Sequence, residues 1–152
     1  KTLGFNFQMP SQHPFNPLPL LRLAVACGDE NGNTNRFVTQ QIFNHVWLGG
    51  ADAANSERLE ALAKQLAHKI KTGEEPNSDA VKARLKTNTD KALQAGVFGV
   101  PSFVVGTGAN QKVFWGLDSL PMLRECLAGN AWFKEGDGWN SIAKIGVGVK
   151  RI

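Results

Sequence analysis

GVFGVPSFVV, residues 96–105, is the stretch on which the reading of the chain turns. It enters a short β-branched and aromatic run, Ser102–Val105, through the Val100–Pro101 peptide bond. Proline cannot donate to a strand ladder, so it is confined to strand starts, edges and bulges. An ordinary trans proline at a strand start is the commoner arrangement, since only about one X-Pro bond in twenty is cis in folded proteins. A cis bond would turn the backbone of Val100 outward. Its N–H and C=O would then be free to pair with an extended ligand, as one strand pairs with another.

Downstream, the turn-rich GTGAN (106–110) leads into a second run, Lys112–Trp115, and the two runs read as a hairpin. Asp118 or Ser119 caps an amphipathic helix through Leu120, Met122, Leu123 and Leu127, with Pro121 allowed in its first turn. Residues 129–152 hold Gly, Trp, Lys and Val without clear period and read as a loosely packed tail. Upstream, FNFQMPSQHPFNPLPLL (5–21) carries four of the seven prolines and reads as an extended lead-in. Asn16 and Pro17 open a helix that runs to about Cys27, where Gly28 and the loop GDENGN stop it. Thr34 can cap a second helix with Phe37, Ile42, Phe43, Val46 and Trp47 near the helical period, ended by Gly49 and Gly50. A third begins at Asn55 or Ser56 and aligns Leu59, Leu62, Ala63, Leu66 and Ile70. A fourth begins at Ser78 or Asp79, with Gly96 as a left-handed C-cap. The order is four helices, a hairpin and a helix. A two-stranded hairpin needs more strands or a helix layer to be stable, so either helices cover it or its partner strands lie upstream of Lys1.

The composition narrows the function classes. The 152 residues are 42% hydrophobic and 20% charged, which excludes low-complexity, collagen-like and disordered classes. No apolar run approaches the roughly 18 residues of a membrane span. The net charge is +4, but Lys and Arg are dispersed along helix-like segments (64–71 and 82–91) among Asp, Glu and Ala. They read as solvated helix faces, and nucleic acid is not an expected partner. Cys27 and Cys126 stand far apart with no Cys-x-x-Cys and no metal-ligand spacing, so no metal is expected and a reduced, cytoplasmic setting fits. His45 in FNHVW reads as a packed histidine, while His13 and His68 look exposed.

GVFGVPSFVV, the hairpin and FWGLDSL (114–120), preceded by NPLPLLRLAVA (16–26), IFNHVWLGG (42–50) and NTDKALQAG (88–96), resemble the 2-hydroxychromene-2-carboxylate isomerase family. That family is related to kappa-class glutathione transferases and more distantly to DsbA-like proteins. The resemblance covers about residues 1–129. It implies an α/β, thioredoxin-like fold with an inserted all-helical domain, the N-terminal βαβ half being absent from this chain. The expected division is a helical insertion domain with its lead-in over 1–96, the C-terminal half of the thioredoxin-like domain over 97–128, and a tail over 129–152.

The resemblance also implies a function and a site. The function is glutathione-dependent cis-trans isomerisation of 2-hydroxychromene-2-carboxylate in aromatic hydrocarbon degradation. A kappa-like glutathione transferase or peroxidase and a DsbA-like dithiol–disulfide oxidoreductase are the alternatives. Val100 and Pro101 match the backbone that meets the cysteinyl part of glutathione, and Asp118 matches an acidic residue that holds its γ-glutamyl amino group. Leu117 and Ser119 flank Asp118 where relatives carry a polar residue and an arginine, and a plain helix cap is the other role open to Asp118. Trp115 is the candidate for lining the pocket of a small aromatic substrate. The Ser that activates the thiol is expected upstream of Lys1, so the chain alone is expected to be inactive. A homodimer is compatible with the family; a membrane partner is not expected.

Overall fold

A computed structural model of the chain describes Gly4 and residues 6–29, 33–70, 73–134 and 138–142. The chain divides into two compact units, residues 1–91 and 92–152. Much of the expected GDENGN loop and of the 129–152 tail lies outside the described residues.

Unit one is helical. Asn16 Oδ1 accepts the N–H of Leu18, and α1 spans Leu18–Ala26 with Pro17 at its entrance. Helix α2 spans Arg36–Trp47. Its cap is Asn35 and not the expected Thr34: the Asn35 carboxamide oxygen accepts the N–H groups of Phe37 and Val38, two of the donors that a helix start leaves open. Asn55 caps α3, Ser56–Leu66, by accepting the N–H of Arg58. Ser78 Oγ accepts the N–H of Val81 at the start of α4, Asp79–Gln94. Gly96 follows α4 with φ of 76°, the left-handed turn that a Cβ would disfavour.

The apolar faces of α1, α2 and α3 meet in one core. Leu20, Leu23, Cys27, Val38, Val46, Ala53, Leu62 and Leu66 are buried there, with Phe15, Ile42 and Trp47 packed against them. Arg58 closes the open end of α2. Its Nη2 donates to His45 O at 2.8 Å and its Nη1 to Asp52 O, so a cation satisfies a carbonyl at the negative end of the helix. Cys27 Sγ–H points at Leu66 O at 3.8 Å, and burial pushes its thiol pKa above the ordinary value. Val25, Ala26 and Val81 form a second, smaller core joined by Leu85.

Unit two is built around the hairpin. Strand β1, Ser102–Val105, pairs antiparallel with β2, Lys112–Trp115, in the register Ser102 with Trp115 through Val105 with Lys112. After it come a 3₁₀ turn, Leu117–Ser119, and α5, Leu120–Leu127. The described sheet has two strands; the Phe114 face is buried and the other is half exposed. Directly opposed residues share a face, so Phe103 and Phe114 lie on one side, Val104, Val113 and Trp115 on the other. Phe114 is met by Phe133 at 5.9 Å and by Trp139 at 5.1 Å between ring centroids. Those rings come from a 3₁₀ turn, Ala131–Phe133, and a short helix α6, Trp139–Ile142. The segment read as a loose tail therefore includes an aromatic cover for the hairpin. On the other face, residues 95–99 lie along the strand: Gln111 Nε2 donates to Ala95 O, and Phe98 packs on Trp115.

Candidate functional site

Every residue singled out from the sequence as a site residue lies at the open end of the hairpin. The Val100–Pro101 bond is cis. Beyond the last ladder pair, Gly116 N–H donates to Pro101 O at 2.9 Å, which ties residues 100–101 to the turn that carries residues 117–119. That bond also sets the phase of the ladder. Pair 101/116 makes this one bond, since Pro101 has no N–H, and pairs 103/114 and 105/112 are in the phase to exchange two, so the N–H and C=O of Ser102 and Val104 face the edge away from β2. Val100 sits two positions before Ser102. Among the described residues its N–H and C=O have no hydrogen bond, and its side chain is 88% exposed.

Trp115 is half exposed, and the Nε1 edge of its indole lies against the backbone of Gly99. A Cβ built on Gly99 would stand 2.5 Å from its Nε1, and the Phe98 ring centroid is 5.2 Å away. Only a glycine at residue 99 lets the indole settle there. Replacing Gly99 by alanine is therefore expected to lift the ring and destabilise the unit by about 1–3 kcal/mol, the usual cost of an overpacked contact. The Nε1–H resonance of Trp115 reports it directly; a resonance that stays in place would mean the backbone, not the ring, moves aside.

Asp118 is exposed at the middle of the 3₁₀ turn, and among the described residues its carboxylate has neither a hydrogen bond nor an ion pair. Gly116, with φ of 86°, leaves room for it: a Cβ there would collide with Asp118 Oδ1. Neither Asp118 nor Ser119 supplies the expected side-chain cap of α5. The 3₁₀ turn already closes on itself, Leu120 N–H bonding to Leu117 O, and Pro121 has no N–H to satisfy. The Ser119 hydroxyl instead donates to Gly116 O at 2.7 Å, so its proton is committed and its lone pairs remain. Leu117 is exposed and contributes an apolar surface. The site thus offers an unpaired backbone edge, one free carboxylate and a ring. Gly99, Phe98 and Gly116 belong to it as supports, and the glycines spaced through GVFGVP and FWGLD are the only trace of them in the sequence.

Of the single residues weighed in unit one, His45 and Trp47 pack and His13 and His68 are exposed. His45 Nε2 donates to Ala53 O at 3.0 Å and is partly buried, and Trp47 is half-buried against the core. His13 is exposed beside Phe15 and Trp47, and His68 is exposed in the 3₁₀ turn Ala67–Lys69. Among the described residues no group of three or more His, Cys, Asp and Glu side chains could hold a metal ion, and no helix is long and apolar enough to cross a membrane.

A family model described as the DSBA-like thioredoxin domain matches residues 1–128. No curated protein and no solved structure matches the chain. The match takes in most of the chain, including the helical unit, the cis-proline strand and α5, and the chain belongs to the DSBA-like thioredoxin domain family, with an α/β, thioredoxin-like fold.

Proposed function

We propose that the chain contributes the glutathione-holding part of a glutathione-dependent cis-trans isomerase of 2-hydroxychromene-2-carboxylate, and that the end of its hairpin holds the tripeptide. The reading is supported by the Pro101–Gly116 hydrogen bond, which brings an unpaired Val100 backbone and an unpaired Asp118 carboxylate to the same end of one unit. A peptide lying along the β1 edge would exchange hydrogen bonds with Val100, as strands do in β-augmentation. Its amino group would meet Asp118. Glutathione has both features, an extended cysteinyl amide and a free ammonium.

The fit is incomplete at the carboxylates. Leu117 and Ser119 supply no cation, and Pro121 withdraws one of the leading N–H donors of α5. When bound, glutathione supplies the nucleophilic sulfur that an unsaturated aromatic substrate requires. The residues of this chain bind and orient it, and Trp115 with Phe98 offers an aromatic wall beside it. A dithiol–disulfide oxidoreductase is the second reading, supported by the DSBA-like match; it requires a Cys-x-x-Cys in the place where the isomerase requires its activating Ser.

Titration calorimetry with reduced glutathione tests the site. Asp118→Ala is expected to weaken binding by about five- to tenfold, the scale of one charge-assisted hydrogen bond at an exposed position. An unchanged dissociation constant would remove Asp118 from the site. In a complete protein that carries the thiol-activating Ser, glutathione-dependent loss of the hydroxychromene carboxylate absorbance separates the isomerase from a transferase, for which conjugation of an aromatic electrophile without isomerisation is the expected result.

A further inference from the structure

Unit one contains a cleft that the glutathione reading does not use. It lies along α1 and α2, has a volume of about 270 Å³, and is walled by the rings of Phe15, Phe43 and Trp47. Leu20, Leu21 and Ala24 form the wall on α1. No charged side chain lines it, in a chain where one residue in five is charged. Phe43 is 54% and Leu21 44% exposed, so large apolar groups stand at its rim in water.

Two hydroxyls interrupt the apolar lining, Thr34 just before α2 and Thr39 in its first turn. Val46 and Trp47 lie at the far end of the same helix, about 10 Å along its axis from Thr39. The cleft is therefore polar at one end and aromatic at the other. Thr39 Oγ1 donates to Asn35 O at 3.1 Å and keeps lone pairs to accept with. Among the described residues Thr34 Oγ1 has no hydrogen bond.

We propose that this cleft binds a neutral, hydroxylated aromatic molecule of about two fused rings. Size supports that class: an apolar cavity of about 150 Å³ accepts benzene, and pockets for drug-sized ligands begin near 300 Å³. Charge supports it equally, because a carboxylate or ammonium buried against this lining would lose its hydration and find no counter-ion. The two threonines give a ring hydroxyl its partners. The inference stands apart from the glutathione site, since none of the residues that line the cleft belongs to that site.

The test is a titration of the whole chain with 1-naphthol, followed by methyl resonances. Saturable shifts are expected at Leu20, Leu21, Ile42 and Val46. Ala24→Phe, which fills the cleft from α1, is expected to weaken binding at least about tenfold. Thr34→Val is expected to weaken 1-naphthol by about fivefold and leave naphthalene unchanged. 1-Naphthoate is expected to bind at least about tenfold more weakly than 1-naphthol. Should Ala24→Phe fail to give a folded spectrum, Phe43→Ala at the exposed rim takes its place with the same expected direction. Shifts confined to residues outside the cleft, equal binding of 1-naphthoate, or unaltered affinity in the filled variant would overturn the proposal. So would methyl shifts that change on dilution without ligand, which would assign the cleft to a second copy of the chain.

Discussion

Phe114→Ala is expected to lower the unfolding free energy of unit two by about 3–5 kcal/mol, the range for emptying a buried phenylalanine site. Phe114 is 2% exposed and is the only strand residue of the described hairpin buried to that degree. Its ring joins Phe133 and Trp139, which are 5.7 Å apart, and Trp132 lies edge-on to Phe133 at 4.8 Å. Removing it breaks two ring pairs, each worth about 0.5–1.5 kcal/mol beyond its area. It also uncovers one face of a two-stranded sheet, which cannot stand alone in water. Urea unfolding followed by near-ultraviolet circular dichroism measures the loss, and Phe114→Leu should restore more than half of it by keeping most of the volume. A loss below about 1 kcal/mol would mean that the rings of residues 131–139 do not hold the hairpin.

In unit one the corresponding position is Leu66, the largest of the side chains with no accessible surface. Leu66→Ala is expected to cost about 2–5 kcal/mol. The upper part of that range applies, because α1, α2 and α3 all contribute to its surroundings through Leu20, Leu23, Val38 and Leu62. Three helices fixed by separate caps cannot easily close on the space that is left. The Cys27 thiol bonds to the Leu66 carbonyl, not to its side chain, so that hydrogen bond survives the substitution and the measured loss reads packing alone. The midpoint in urea should fall while the slope with denaturant stays constant. A changed slope would instead place the effect in the unfolded chain.

The helices were legible because their signals are local. Asn55, Ser78 and Gly96 announce helix ends within a residue or two of the strand of chain they act on. Two caps were read differently. Asn35 for Thr34 concerns neighbours of similar capping preference, and only the backbone direction decides which side chain reaches the free N–H groups; at α5 the preceding 3₁₀ turn and Pro121 leave Asp118 and Ser119 no cap to make. Both strands were legible from β-branched and aromatic runs bounded by Pro101 and Gly106. The aromatic cover was not. Trp132, Phe133 and Trp139 have no period, because short 3₁₀ and helical turns place them by contact with Phe114 and with one another. The candidate site was half legible. Val100, Pro101, Trp115 and Asp118 could be named from motifs, but the hydrogen bond that gathers them joins residues 101 and 116, and the use of Gly99 as a seat for an indole depends on that pairing.

Among the described residues β1 has no strand partner on the edge away from β2, and the signals at its two ends set how much of that edge another strand or peptide can use. An unpaired strand edge is a template on which other chains can extend a sheet, and proteins limit it by keeping edge strands short or ending them with proline. Here Pro101 offers no N–H at one end, and Gly106, with φ of 80°, turns the chain away at the other. Between them only Ser102 and Val104 present both backbone groups outward. Two such residues can grip a short extended peptide, yet they are too few to seed a growing cross-strand stack. Whatever pairs with this edge, a strand or an extended peptide, meets a ladder only a few residues long.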